Sequence, residues 1–152
     1  MIIRLKNKEL SIAEQIRVVF QASYTVEAKL LNAVNFPPLS RPLDNFMESE
    51  NEFFGYTINQ ELAAVVEIHH IEGFTHIQSL VVHPKYFRQG IGTALMEFVL
   101  KTFNTKPLMV ETGAGNGPAI ALYKKFNFVE VHQWDTDIGI RKVRFVQAIN
   151  KE

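Results

Sequence analysis

Residues 80–95 combine two glycines with positive charge where a strand-like run gives way to a helical one. Gly90 and Gly92 let backbone N–H groups approach an anion closely, because glycine has no side chain and tolerates positive φ. The first turn of a helix adds unpaired N–H groups and the positive end of the helix dipole. Together with the charges of Lys85 and Arg88, these features predict a phosphate-binding loop. A tight turn without a ligand is the alternative for so short a motif.

Two known phosphate motifs do not fit this loop. A Walker loop ends in Gly-Lys-Ser/Thr, which the chain lacks. The dinucleotide fingerprint needs a third glycine or alanine where this loop has Leu95, and a second glycine run at 113–118 fails at the same place. Asp135 follows Gly115 at about the spacing of a ribose-binding acid, so a dinucleotide-binding enzyme stays a rival. Too little chain remains after it for the rest of a doubly wound half.

A second motif begins at Asn116 and continues through Ala119 and Tyr123 into a turn at 126–128. In this order and separation, the two motifs resemble the signatures of the GCN5-related N-acetyltransferase family. Those signatures read Arg/Gln-x-x-Gly-x-Gly/Ala and Asn-x-x-Ala-x-x-x-Tyr before a Gly-Phe turn. The close match covers residues 77–128, whereas residues 11–50 match only in being helical.

The chain departs from the family pattern at two positions. Phe87 stands where the first signature has arginine or glutamine, and Arg88 follows one place later. Asn127 replaces the glycine of the turn, a mild change because asparagine also tolerates the left-handed conformation at a helix end.

The resemblance implies an acetyl-CoA-dependent N-acetyltransferase that holds its cofactor chiefly through the backbone. The pyrophosphate would lie against the backbone amides beside Arg88, namely those of Gln89, Gly90, Ile91, Gly92, Thr93 and Ala94. The pantetheine arm would pair with main-chain groups of Leu80, Val81 and Val82. Asn116 would bond the arm from the far side, with Ala119 in the same motif.

By the same resemblance, the Tyr123 hydroxyl points at the thioester sulfur and acts as general acid. A plain core aromatic is the alternative for Tyr123, since helical spacing alone is typical of buried stripes. The candidate bases are Glu67 and Glu111, although a solvated or paired carboxylate is the commoner role for either. The chain has no cysteine and no recognisable nucleophile elbow. We therefore expect direct transfer in a ternary complex.

The acceptor would be a small-molecule or peptide amine that lies beneath the helical segment before the sheet. Possible lining residues there are Tyr24, Phe36, Arg41 and Phe46. A non-catalytic acyl-CoA sensor on the same fold is the alternative, because a fold alone does not fix function. The sequence leaves a homodimer open.

Composition narrows the partners and the compartment. The chain has 16 Lys plus Arg and 16 Asp plus Glu, so its formal net charge gives no footprint for nucleic acid or an anionic membrane. The absence of cysteine excludes disulfides and thiolate zinc sites. His69, His70 and His76 lie close in sequence, but neighbouring strand residues point to opposite faces, so we expect no metal. With no signal peptide or membrane-spanning run, a cytoplasmic protein is expected.

The elements that must position these residues predict one mixed α/β domain over residues 1–152. Three strands joined by short turns suggest an antiparallel meander, and a later strand–helix–strand segment needs a crossover and a parallel pair. We expect an acyl-CoA N-acyltransferase-like fold, with helices on both faces of a central mixed sheet. Ser11 is the predicted N-cap of the first helix. The predicted strands are 2–6, 53–58, 62–71, 76–82, 108–111, 128–134 and 138–148, and the predicted helices are 11–34, 41–47, 91–102 and 118–126.

Overall fold

Seven strands form one sheet, in the order β1-β2-β3-β4-β5-β7-β6, in a computed structural model that describes residues 1–148. The strands are β1 Ile2–Leu5, β2 Glu52–Ile58, β3 Glu61–Ile71, β4 Phe74–Val82, β5 Leu108–Gly113, β6 Val129–Asp135 and β7 Arg141–Gln147. The helices are α1 Leu10–Leu30, α2 Leu43–Glu48, α3 Ile91–Thr102 and α4 Gly117–Lys125, with 3-10 turns at Pro37–Ser40 and Pro84–Tyr86.

The strand directions confirm the predicted mixed sheet. Strands β1 to β4 pair antiparallel in sequence order, while β4 and β5 pair parallel through the α3 crossover. The β6–β7 hairpin then returns so that β7 pairs antiparallel with β5. The one parallel pair therefore lies in the middle of the sheet, between two antiparallel parts.

Two apolar layers cover the two faces of the sheet, as predicted. Val65 and Val66 are neighbours on β3, yet both are fully buried, because one faces each layer. The first layer joins α1 and α2 to the sheet through Leu5, Ala13, Ile16, Val19, Phe20, Phe46, Phe53, Val65 and Val81. The second joins α3 and α4 to it and includes Val66, Ile68, Ile77, Leu95, Met96, Val99, Val110, Tyr123 and Phe145.

Helix α1 is the longest helix at 21 residues and turns an apolar stripe to the sheet. Ala13, Ile16 and Phe20 are buried in that stripe, and the same face continues into the polar side chains of Tyr24 and Glu27. Within residues 1–148, no helix combines the length and the apolar character needed to cross a bilayer.

Three of the predicted element details are wrong. Helix α1 begins at Leu10 after Glu9, so Ser11 lies inside it and does not cap it. The helix ends at Leu30 rather than at residue 34, because Asn32 takes a positive φ of 53°. The last strand begins at Arg141 rather than at Ile138, because the chain turns at Gly139, whose φ is +78°.

Candidate functional site

Strands β4 and β5 diverge in the middle of the sheet. They pair in parallel from Thr75, opposite Leu108, to Ile77, opposite Val110. Beyond that point β4 stays paired to β3 as far as Val82. The other edge of this part of β4 therefore faces an opening between the two strands.

A bulge marks the start of the opening. On β3, Glu67 pairs with Ser79 and Ile68 pairs with Ile77, which leaves Gln78 as the extra residue of β4. Such an insertion bends the strand and ends its pairing with a neighbour. The bulge thus separates the paired start of β4 from its free end.

Past the bulge, the backbone direction of each β4 residue follows from one hydrogen bond. The N–H of His83 donates to the carbonyl of Ala63 at 2.8 Å. Since antiparallel pairing alternates, Val81 then turns its N–H and C=O to β3, whereas Leu80 and Val82 turn theirs to the opening. Of the three residues predicted to pair with the pantetheine arm, Leu80 and Val82 therefore turn their backbone groups to the opening, whereas Val81 does not.

The predicted phosphate loop has the geometry of an anion cradle. Gly90 is the N-cap of α3 and has a φ of +75°, and Arg88 before it is also left-handed, with a φ of 63°. The N–H of Ala94 donates to the carbonyl of Gly90 at 3.0 Å, which is the first hydrogen bond of the helix. The Ala94 amide is therefore not free to bind a phosphate. The amides of Ile91, Gly92 and Thr93 occupy the helix's first turn, where the helix itself offers them no acceptor. Gln89 lies exposed before them.

The space over this loop is open, so its residues fit a phosphate group. A Cβ placed on Gly90 would meet no atom of the described chain within 4 Å. One on Gly92 would meet only Leu122 Cδ2, at 3.4 Å. Lys125 of α4 adds positive charge beside the loop, because its Nζ donates to Thr93 Oγ1 at 3.3 Å.

A cavity of about 710 Å³ lies between α1, the open end of β4, β5 and α4. This is within the usual range for a small-molecule site. The Arg88–Ala94 loop is not part of its wall. The predicted site residues that line it are Tyr24, Phe36, Arg41, Glu67, Leu80, Glu111, Asn116, Ala119 and Tyr123.

Tyr123 is buried to 4% exposure, and its ring packs against Phe128 and Phe145 at centroid distances of 5.8 and 6.1 Å. Its hydroxyl makes no hydrogen bond within residues 1–148, yet no fully buried side-chain polar atom in that part of the chain lacks a partner. The hydroxyl therefore opens to the cavity. Burial raises the pKa of Tyr123 well above its usual range, and the nearby Tyr24 and Glu27 raise it further. The hydroxyl thus keeps its proton at neutral pH.

Glu67 does not fit the predicted role of a base. It has no exposed surface, and Arg41 grips it in a bidentate ion pair, with Nη1 to Oε1 at 2.7 Å and Nη2 to Oε2 at 3.0 Å. Asn51 and Ser79 donate to the same carboxylate at 2.8 and 3.1 Å. Four donors therefore fix the Glu67 carboxylate in a structural role.

Glu111 is also paired. Nε and Nη2 of Arg144, on β7, both lie 2.8 Å from its Oε2. The Arg144 guanidinium in turn lies 5.3 Å from the ring centroid of Trp134. Glu111 remains 22% exposed, so it reaches the cavity while its charge is balanced.

Two of the predicted acceptor residues, Arg41 and Phe46, pack against each other, and Arg41 lines the cavity whereas Phe46 does not. Phe46 is 1% exposed and packs edge-on against Phe20 at 4.9 Å, so it lies behind the cavity wall. The Arg41 guanidinium stacks over the Phe46 ring at 4.1 Å while it holds Glu67. Arg41 therefore lines the cavity with one side while its guanidinium packs on Phe46 and holds Glu67. Tyr24 and Phe36 line the cavity as predicted and contact each other at 5.7 Å.

Sequence reasoning missed Glu27, a half-buried carboxylate of α1 that lines the cavity. Its Oε1 accepts hydrogen bonds from Asn116 Nδ2 at 3.0 Å and Thr112 Oγ1 at 3.4 Å. Burial raises the pKa of Glu27, while these two donors and the charge of Lys142 oppose the rise. The available signal was its position, three residues after Tyr24 and seven after Phe20, on the buried face of the helix.

Asn116 is the N-cap of α4, because its Oδ1 accepts from the Ala119 amide at 3.2 Å. Its other side-chain atom, Nδ2, is the donor to Glu27. Nδ2 also donates to Thr112 Oγ1 at 3.4 Å. A hydrogen bond from this side chain to the pantetheine arm, as predicted, would therefore compete with three hydrogen bonds inside the protein.

The second glycine run serves packing. A Cβ on Gly113 would lie 2.5 Å from Leu31 Cδ2, and one on Gly115 would lie 3.2 Å from it. These glycines let the end of α1 approach the β5–α4 turn, which carries Glu27 towards Asn116. In the loop at 113–118, which suggested a dinucleotide-binding enzyme, Gly113 and Gly115 thus provide the space that the Leu31 side chain occupies.

His69 and the β6–β7 loop also line the cavity. His69 lines the cavity, while His70 points to the other face and bonds Glu52 at 2.6 Å, as the alternation predicts. Ile138 and Ile140, predicted as strand residues, lie in the turn before β7 and face the cavity. Asn127 has a φ of 65° and ends α4, which confirms its predicted left-handed conformation.

Comparison with known sequences matches residues 14–128 to the acetyltransferase (GNAT) family. The UPF0157 protein YqkA of Bacillus subtilis (strain 168) is 33% identical over 82% of this chain and 36% of its own length. An N-alpha-acetyltransferase of Sulfolobus acidocaldarius is 36% identical over 54% of this chain and 53% of its own length. The chain thus spans about half or less of the length of these curated relatives.

Comparison with solved structures shows the fold. The ribosomal-protein-S18-alanine N-acetyltransferase of Escherichia coli superimposes with a TM-score of 0.76 at 23% identity, covering 100% of this chain and 95% of its own. An aminoglycoside 6'-N-acetyltransferase complexed with coenzyme A gives 0.73 at 11% identity, covering 100% and 98%. At these identities the likeness concerns the fold alone.

Proposed function

The chain belongs to the acetyltransferase (GNAT) family, and from that premise we propose that it transfers an acetyl group from acetyl-CoA to a primary amine. The observation that supports this most directly is the Tyr123 hydroxyl, which is unpartnered within residues 1–148 and faces a cavity at the opening between β4 and β5. Relatives named as N-alpha-acetyltransferases favour a peptide α-amine as acceptor. The experiment below tests small amines as well.

The residues that would hold acetyl-CoA are mostly backbone groups. The amides of Ile91, Gly92 and Thr93 suit the pyrophosphate, since they meet an anion at a helix N-terminus. Leu80 and Val82 present N–H and C=O groups that suit the amides of the pantetheine arm. When bound, the thioester supplies an acyl group that is activated towards nitrogen nucleophiles. An acetylated cysteine is excluded as a carrier, because the chain contains none.

The chain's own groups then have three tasks. The Leu80 N–H, turned to the opening, can donate to the carbonyl oxygen as negative charge develops there. The Tyr123 hydroxyl, protonated at neutral pH, donates to the departing sulfur. The cavity between α1 and β5 orients the amine for direct attack. Glu111 lies on the same wall, and we assign its charge, balanced by Arg144, to the electrostatics of the acceptor side.

The experiment measures thiol release from acetyl-CoA with short peptides bearing free α-amines, with spermidine and with an aminoglycoside. Intersecting double-reciprocal lines are expected for direct transfer. Tyr123→Phe should bind acetyl-CoA normally but lose about 10²-fold in kcat, the lower end for a general acid. Acetyl-CoA binding without turnover of any amine would instead favour a non-catalytic sensor. A fully active Tyr123→Phe enzyme would reduce the hydroxyl to a packing feature.

A further inference from the structure

Four carboxylates line the cavity, those of Glu27, Glu48, Glu67 and Glu111. Glu48 is exposed to solvent, and the other three carboxylates differ in their partners. Glu67 is saturated by Arg41 and two neutral donors, and Glu111 is paired with Arg144. Glu27 receives only neutral donors within residues 1–148, and both of them bond its Oε1. Its Oε2 therefore has no partner in that part of the chain, and since no fully buried polar atom is unsatisfied there, this oxygen faces the cavity.

We propose that Glu27 is the carboxylate that binds the ammonium group of the acceptor and takes its proton. This deepens the proposed function and rests on it. The geometry has three parts: a half-buried carboxylate on α1, one free oxygen turned to the cavity, and two hydrogen bonds from the β5–α4 segment that fix the other oxygen. A cationic acceptor supplies the charge partner that this carboxylate lacks.

The surroundings of Glu27 suit proton transfer. Tyr24, Glu27 and Tyr123 all line the cavity. Burial raises the pKa of both tyrosine hydroxyls, and the charge of Glu27 adds to each rise. Burial raises the pKa of Glu27 itself, which makes its carboxylate a stronger base than an exposed one. The other charged groups nearby are Lys142 of β7, which opposes the rise, and the Arg41–Glu67 pair beyond Tyr24.

The proton balance of the reaction closes with Glu27, Tyr123 and solvent. The acceptor's ammonium gives one proton to Glu27, and the neutral amine forms the N–C bond as the C–S bond breaks. Tyr123 gives its proton to the sulfur. The nitrogen sheds a second proton as it becomes an amide, and this proton restores Tyr123. The proton on Glu27 leaves to solvent through the cavity.

The packing of α1 explains why a carboxylate on this helix reaches the chemistry. Leu31 sits against Gly113 and Gly115, which brings the last turns of α1 onto the start of α4. Asn116 then joins the two elements, because it caps α4 with one atom and donates to Glu27 with the other. Asn116 is thus a positioning residue for Glu27.

The test compares Glu27→Gln and Glu27→Asp with Glu14→Gln. Glu14 lies on the exposed face of the same helix, so its change is the matched control. At pH 7, Glu27→Gln should lower kcat/KM by about 10²-fold and remove the acid limb of the pH profile that reports Glu27. Glu27→Asp should restore part of the rate. All variants should keep the acetyl-CoA-induced rise in Tm.

A second readout separates this proposal from the proposed function. Calorimetry on the coenzyme A-loaded protein should show that a short peptide with a free α-amine binds wild type, whereas Glu27→Gln and the N-acetylated peptide lose this binding. If wild type turns over no amine yet binds the peptide through Glu27, the proposed transfer fails and the Glu27 site stands. Equal kcat/KM, pH profile and peptide affinity in Glu27→Gln and wild type would overturn the Glu27 assignment while leaving the transferase intact.

Discussion

The cofactor side and the acceptor side of the opening between β4 and β5 differ in what they are made of. On the proposed cofactor side, contacts would come from backbone amides of one continuous segment around Gly90 and from two residues of β4. On the proposed acceptor side, the wall consists of side chains such as Arg41, Glu67 and Glu27, which are far apart in sequence and meet only in the fold. A backbone site depends on local conformation, whereas a side-chain site depends on tertiary packing. The two sides should therefore fail in different ways when mutated.

The largest expected effect on ligand binding is at the predicted phosphate loop. Gly92→Asp should abolish the acetyl-CoA-induced rise in Tm, because a carboxylate would occupy the place of the pyrophosphate. At 100-fold excess over Kd, a ligand stabilises a protein by about 2.7 kcal/mol, so the loss is easily measured. The fold should survive, since an acidic residue suits a helix N-terminus and only Leu122 is near.

Gly92→Asn is the matched control for that change, because it adds the same bulk without charge. It should keep part of the rise in Tm. An unchanged rise in a folded Gly92→Asp protein would place the phosphate elsewhere and break the comparison at its cofactor side.

On the acceptor side, the same kind of single change should act on stability first. Arg41→Ala should lower the free energy of unfolding by about 3–5 kcal/mol, because it removes the cationic partner of the buried Glu67 carboxylate and leaves only the neutral donors Asn51 and Ser79. Lys8→Ala removes one partner of an exposed ion pair with Glu50 and should cost at most about 1 kcal/mol. Denaturant unfolding measures both, and similar losses for the two variants would contradict the structural role of Arg41.

The smallest effect concerns the pH dependence of stability. Because burial raises the pKa of Glu27, the folded protein holds this proton at pH values where the unfolded chain has released it. The group's contribution to stability is therefore complete below its ordinary pKa and is lost as pH rises through its folded pKa. Glu27→Gln should equal wild type near pH 4 and exceed it at pH 7.5, by about 0.5–2 kcal/mol as is common for such site changes. Thermal melts at both pH values test this, and wild type being the more stable at pH 7.5 would refute it.

The same division decides what the sequence predicts. Gly90, Gly92, Asn116, Ala119 and Tyr123 lie in two local motifs, so their strand–helix context is legible from neighbouring residues. The antiparallel meander and the parallel pair are legible as well, because three short-turn strands followed by a crossover leave few arrangements. The cofactor side and the fold follow from patterns that span a few turns of chain.

The acceptor side is not legible in this way. Nothing near Arg41 in sequence announces that it will grip Glu67, 26 residues away. Glu27 meets Asn116 across 89 residues, and only because two glycines admit Leu31. The sequence does not place Phe46 for the same reason: its aromatic side chain fits a core or a cavity wall equally well until the packing of α2 on β2 is known.

Because β4 diverges from β5, one side of β4 has unpaired backbone groups in the middle of the sheet, as an edge strand has at its border. An edge is ordinarily a hazard, since its free N–H and C=O groups can recruit a foreign strand. Here the free groups of Leu80 and Val82 alternate with those of Val81, which β3 already holds. One edge of β4 is thus left unpaired inside the sheet, and a bound pantetheine arm would pair with it as an additional strand does. Amide exchange at Leu80 and Val82 would then slow with occupancy, with Val81 as a built-in reference.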